Sequence, residues 1–275
     1  MRRFLCTAFA AVIASSLVGC AGETDTDDLA GNAPVVEPQT GGSIYGSGGS
    51  NGLAFQALDE WQGYLIRAAR KPLVAPGTNQ IANDDAIILM GNPMGYSLMS
   101  YAAACGVPAK MEIQSGAQSV VGMGHLKISK KWIEEGLLKS EIEELLGCVA
   151  AHVNHYHGVK LDFTGLNVID DGDPHTEFWV EEARWGATIV DNDKAIFTAW
   201  LNPHFEPPGC VLYPDPWEAF AQRFCGQHLS ACNLKQGNEK ACHMEDTGKW
   251  VCDDKPVIET WLTESELPVA YCPPP

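Results

Sequence analysis

The sequence predicts an α+β fold: N-terminal helices packed with a small antiparallel sheet, followed by a disulfide-rich irregular C-terminal segment. Three observations lead there. Helix-period segments crowd the first part of the folded region. Strand-like runs come later, without regular βαβ alternation. Six of the eight cysteines outside the leader and its exit lie after Pro203, among prolines and glycines.

Each element follows from local chemistry. Leu58, Trp61, Leu65, Ala68 and Ala69 recur at helical spacing, which predicts a helix over 53–70 ended by Pro72 and Pro76. A second helix is expected over 83–90. Asn92-Pro93, an N-cap followed by proline at the first helical position, starts a third that runs to Ala104. Short strands are expected over 109–114 and 119–123, around the Ser115-Gly116 turn. Ser129 opens a helix through Leu138. Ser140 and Glu143 read as a capping box starting the next, which runs to His157 with Gly158 as its stop. Residues 159–168 alternate as a strand, and 177–190 supply one or two more. After Pro203 one helix is expected, over 216–224. Such a segment buries little core of its own and needs covalent staples.

Ahead of this lies an address. Arg2 and Arg3, an apolar run over 4–18 and the exit Leu17-Val18-Gly19-Cys20 have the order of a secretory leader, too short for a membrane span. Leu-Val-Gly-Cys resembles the bacterial lipobox, which implies cleavage after residue 19 and lipid on Cys20. Two or three acyl chains would hold the protein firmly at a membrane, which one chain would not. Ala21, where some inner-membrane lipoproteins have Asp, points to the outer membrane of a bacterial cell envelope. Residues 20–52 read as a tether: Glu23, Asp25, Asp27 and Asp28 without basic neighbours, then Gly-Ser repeats, cannot bury enough apolar area to order themselves. The expected organisation is a leader over 1–19, the tether over 20–52, an α+β domain over 53–202 and the cysteine-rich segment over 203–275.

Charge narrows the partners. Thirty-five acidic residues against 18 basic give a net charge of −17. Nucleic acid, which is bound through clustered Lys and Arg, is excluded as a partner class. Lipid contact is expected through the anchor alone, and an envelope protein or glycan remains as partner.

Ten cysteines are present. Cys6 leaves with the leader and Cys20 takes lipid. Cys105, Cys148, Cys210, Cys225, Cys232, Cys242, Cys252 and Cys272 remain, an even number in an exported chain, which implies four disulfides without fixing their pairing. No Cys-x-x-Cys occurs, so zinc ribbon, thioredoxin-type and c-type haem signatures are missing.

Tyr101-Ala102-Ala103-Ala104-Cys105-Gly106-Val107-Pro108, the Gly-x-Gly-His-Leu run at 122–126, Gly147-Cys148-Val149-Ala150-Ala151-His152-Val153-Asn154 and Gly158-Val159-Lys160-Leu161 follow one another along the chain. With Glu182-Ala183-Arg184-Trp185-Gly186-Ala187 and the cysteine-dense tail, they resemble a group of cysteine-rich lipoproteins of myxobacterial type. The resemblance covers most of 53–272 and implies an architecture without an activity. It also implies that Cys105 pairs with Cys148, leaving the last six cysteines to pair among themselves.

Two clusters carry ligand chemistry. His152, His155 and His157 end a predicted helix. At about 100° per residue, His152 and His155 share a flank and His157 lies on the far side, so at most two can meet one metal. Cys148 shares that flank and would complete a partial zinc set, which a disulfide to Cys105 would remove. Asp173, His175 and Glu177, in the acidic run from Asp170, could complete a zinc site with His152 and His155 or hold calcium, although EF-hand spacing is missing. The plainer reading takes the histidines as partly exposed helix-end residues favoured by the helix dipole, and the run as a solvated turn. No cofactor is expected on that reading. Nucleophile elbows, P-loops and dinucleotide fingerprints are absent. Trp61, Trp132, Trp179, Trp185, Trp200 and Trp217 could build a sugar platform, but tryptophans at this density are more often core. The functional expectation is therefore a non-enzymatic envelope lipoprotein acting in interaction or structure. The alternatives are a metal-binding protein or metal-dependent hydrolase, and a carbohydrate-binding module.

Overall fold

In the computed structural model, residues 49–50, 55–154, 160–169, 179–211, 215–226 and 232–272 are described. Side-chain amides launch the second and third helices. α1 (Phe55–Ala69) buries Phe55, Leu58, Leu65 and Ile66 along one stripe. Asn83 caps α2 (Asp84–Met90) by accepting from the Ala86 N–H at 3.3 Å, and its amide donates to the Ala68 carbonyl at 2.9 Å, locking the end of α1 to the start of α2. Asn92 caps α3 (Pro93–Gly106), accepting from Met94 and Gly95. These caps and the proline are where the residues place them.

A hairpin, β2 (Glu112–Ser115) and β3 (Gln118–Val121), leads to α4 (Ser129–Glu134). α4 stops four residues earlier than expected because Gly136 turns the chain at φ +91°, where a Cβ would lie 2.6 Å from the Arg70 carbonyl oxygen. α5 (Lys139–Ala151) also starts differently. Leu138 is its N-cap, and Glu141 reaches back to the Leu138 N–H at 2.6 Å. Glu143, expected to close a box with Ser140, instead accepts from the Ile189 N–H and holds Lys255, each at 2.9 Å. The helix ends with His152 as C-cap, short of the expected His157.

The main sheet has six strands in the order β1-β4-β11-β5-β6-β7. They are β1 (Gly49–Ser50), β4 (Lys160–Gly165), β5 (Trp179–Asp191), β6 (Lys194–Leu201), β7 (Leu234–Gln236) and β11 (Ile258–Thr263). All pairings are antiparallel except β6 with β7. α+β is thus the fold class. β1 starts pairing inside the segment expected to be tether. A second sheet, β8 (Cys242–Met244), β9 (Trp250–Cys252) and β10 (Lys255–Pro256), forms a small cluster with Trp200 on the main sheet's other face.

The cysteine-rich segment does more than the sequence led us to expect. It delivers β11 between β4 and β5. α6 (Pro216–Cys225) sets Phe220 5.2 Å and Phe224 5.7 Å from the buried Trp185 ring, and α7 (Leu267–Tyr271) buries Tyr271. Texture changes at Pro203; the core does not. Four disulfides join Cys105 to Cys148, Cys210 to Cys272, Cys225 to Cys232 and Cys242 to Cys252. The first is the pair the resemblance implies, and the other six do pair among themselves. Among the described residues no helix is long and apolar enough to cross a membrane.

Candidate functional site

Tyr101 and Cys105 stand one turn apart on α3, and Cys148 and His152 one turn apart on α5, so each pair shares a helix face. The Cys105–Cys148 bond brings those faces together. His125 enters from the segment after β3, and Phe163 from β4. The Gly-x-Gly-His run owes its glycines to this packing. A Cβ at Gly122 would lie 2.3 Å from the Pro108 carbonyl oxygen, and Gly124, at φ +73°, would meet the Ala109 nitrogen at 2.8 Å.

The His152 ring lies 4.7 Å from Phe163, 4.8 Å from Tyr101 and 5.9 Å from His125 between centroids. It is 1 % exposed, and neither ring nitrogen has a hydrogen-bond partner among the described residues. Burial, then the nearby His125 and Arg223, holds its pKa well below the ordinary imidazole range, so it is neutral at pH 7. His152 is therefore a buried helix cap, contrary to the partly exposed helix-end residue of the plainer reading. Sequence periodicity placed it on a flank, but not what covers that flank.

Among the described residues, one group of three or more potential ligands converges: Cys105, Cys148 and His152, whose donor atoms lie within 4.8 Å of one another. The disulfide ties up both sulfurs. His155, Asp173, His175 and Glu177 lie outside the described residues, as does Cys20.

Beside this pocket runs a buried ionic network that the sequence did not reveal. Arg223 is 0 % exposed and donates to the Ala151 and Val153 carbonyls at 3.2 Å, closing the end of α5, with its Nε 3.1 Å from Glu182 Oε1. Glu182 also accepts from the Thr260 hydroxyl at 2.8 Å and from the Tyr271 hydroxyl, and Trp185 donates to Thr260 at 3.1 Å. The pairing of β11 with β5 slips between Thr260 and Trp261, opposite Ala183 and Glu181. Glu182 is the extra residue of this bulge and turns into the core. No run of residue types announces it.

The opposite face of the sheet is acidic and aromatic. Register sets Asp162 and Glu181 on either side of Trp261, and Trp179 opposite Thr263. Trp261 donates to Thr164 at 2.9 Å, which donates to Glu259 at 2.9 Å. Arg184 lies 2.6 Å from Glu181 and stacks on Trp250, 3.7 Å from the ring centre. Burial raises the Glu181 pKa against the pull of Arg184. Of the tryptophans picked out from the sequence, Trp132, Trp185 and Trp200 are core, while Trp61, Trp179 and Trp217 are half-buried. Trp250 and Trp261, overlooked there, belong to this face.

No family model, curated protein or solved structure matches the chain.

Proposed function

We propose that the protein is an exported bacterial lipoprotein, anchored through lipid on Cys20, that serves the cell envelope, most readily at the outer membrane, by interaction or structure rather than by catalysis. The observation that carries this reading is the pairing of Cys105, Cys148 and the six tail cysteines into four disulfides, a framework suited to an oxidising compartment. The leader-like start and the Leu-Val-Gly-Cys exit support the anchor. The non-catalytic part rests on how the buried polar groups are used. Arg223, Glu182, Thr260 and Tyr271 bind one another and the end of α5, out of reach of a substrate. Fatty-acid labelling of the full chain in a bacterial host tests the anchor. Label is expected in the membrane fraction and absent from a Cys20→Ser variant; label retained by that variant, or never incorporated, overturns it.

A second reading, glycan binding, is favoured by the outer sheet face, where half-buried Trp179 and Trp261 lie among hydrogen-bonding carboxylates. Tryptophan fluorescence titrated with soluble envelope oligosaccharides is expected to saturate, and to lose the response in Trp261→Ala. A flat titration of the unmutated chain ends that reading.

A further inference from the structure

We infer that Cys105, Cys148 and His152 form a copper(I) site when the Cys105–Cys148 disulfide is open. Three observations meet here. The donor atoms of the three residues already lie within 4.8 Å of one another. The Cα atoms of the two cysteines are 6.1 Å apart, so two freed sulfurs stay on facing turns of α3 and α5. His152 is buried with both ring nitrogens unpartnered, although a buried polar group normally finds a hydrogen bond. In the oxidised protein that imidazole has no polar work; beside two thiolates it has a ligand's place.

The donor set selects the ion. Two thiolates are soft and imidazole accepts both copper and zinc, so the set takes copper(I) or zinc. Structural zinc almost always takes four ligands. Among the described residues no fourth donor joins this group, and the rings of Tyr101 and Phe163 pack against His152. Two soft sulfurs and one imidazole, with no fourth donor among the described residues, suit copper(I).

The step balances with an external dithiol. The reductant gives up two hydrogen atoms and becomes a disulfide, while Cys105 and Cys148 become thiols. Copper(I) then displaces both thiol protons to solvent and takes a nitrogen of the neutral His152. The site is thus open to metal in one redox state and closed in the other. This goes beyond the envelope role proposed above and does not depend on the anchor.

The test uses the full chain, reduced with a dithiol, freed of it anaerobically and titrated with copper(I) against a chromophoric chelator. A Cys105→Ser/Cys148→Ser variant carries the same eight other cysteines and sets the background. The unmutated reduced chain is expected to bind one copper(I) more than that variant. The oxidised chain is expected to lack this extra copper, and His152→Phe to weaken the extra site at least tenfold. Where reduction costs the chain its helical circular dichroism, copper(I) is expected to restore it, because binding energy is then folding energy. The inference falls if no extra copper binds, if His152→Phe binds undiminished, if copper leaves a reduced chain unfolded, or if zinc is taken in preference.

Discussion

Residues 55–154 and residues 203–272 are held by different means. The first region is helical and packs apolar stripes around one disulfide, with Leu58, Leu65, Leu98, Trp132 and Leu145 fully buried. The second holds three disulfides and, among its described residues, two short α-helices, yet it supplies Arg223, Phe224, Leu262 and Tyr271 to the same core. The lesson is that low helix content and dense cysteine do not mark an appendix. This tail is stapled so that its few core residues arrive in the right place, and the centre of the sheet depends on them.

The sharpest way to break that comparison is to cut the polar tie between the regions. Glu182→Ala leaves Arg223 charged, buried and without its carboxylate, and a buried pair that loses one partner typically costs about 3–5 kcal/mol. Urea unfolding should show a loss of that size. An Arg223→Met/Glu182→Leu double variant should recover most of it; if the double is as unstable as the single, the pair contributes more than mutual neutralisation.

Disulfides provide the next measure. The Cys105–Cys148 link closes 43 residues and the Cys242–Cys252 link only 10. By chain entropy the first should contribute about 4 kcal/mol and the second about 2.7 kcal/mol. Paired Cys→Ala variants compared by thermal unfolding check the order. The reverse order would mean that native packing around Cys105 and Cys148 holds those helices together without the bond.

The smallest effect is a slope with pH. Burial, with Glu182 adding to it, raises the Tyr271 pKa well above the usual phenol range. The folded state keeps this proton while the unfolded chain gives it up near pH 10. Tyr271 therefore contributes its full stability below about pH 10 and loses it as pH rises further, at up to about 1.4 kcal/mol per pH unit. Tyr271→Phe should flatten that alkaline slope by one proton. An unchanged slope would place the titration elsewhere, with the buried Tyr101, which burial shifts the same way, as the next residue to replace.

What could be read from the residues alone was local. Asn83, Asn92-Pro93 and Asp215-Pro216 act within their own turns, and the helices they start lie where expected. The partners of Ile258–Thr263 lie 73 to 99 positions away along the chain, at 162–165 and 179–185. No period in 258–263 says which strands it will separate. The site was half legible for the same reason. Helical spacing put Cys148 and His152 on one flank, but Tyr101, His125 and Phe163 come from three other places. The Arg223 network depends on a one-residue slip in strand pairing, which no composition betrays.

The place of β11 in the sheet orders events in time. β4 and β5 are joined only through Ile258–Thr263, so the centre of the sheet waits on pairings made across 73 to 99 positions of chain. That strand is the keystone of the sheet, set between two neighbours that do not pair with each other.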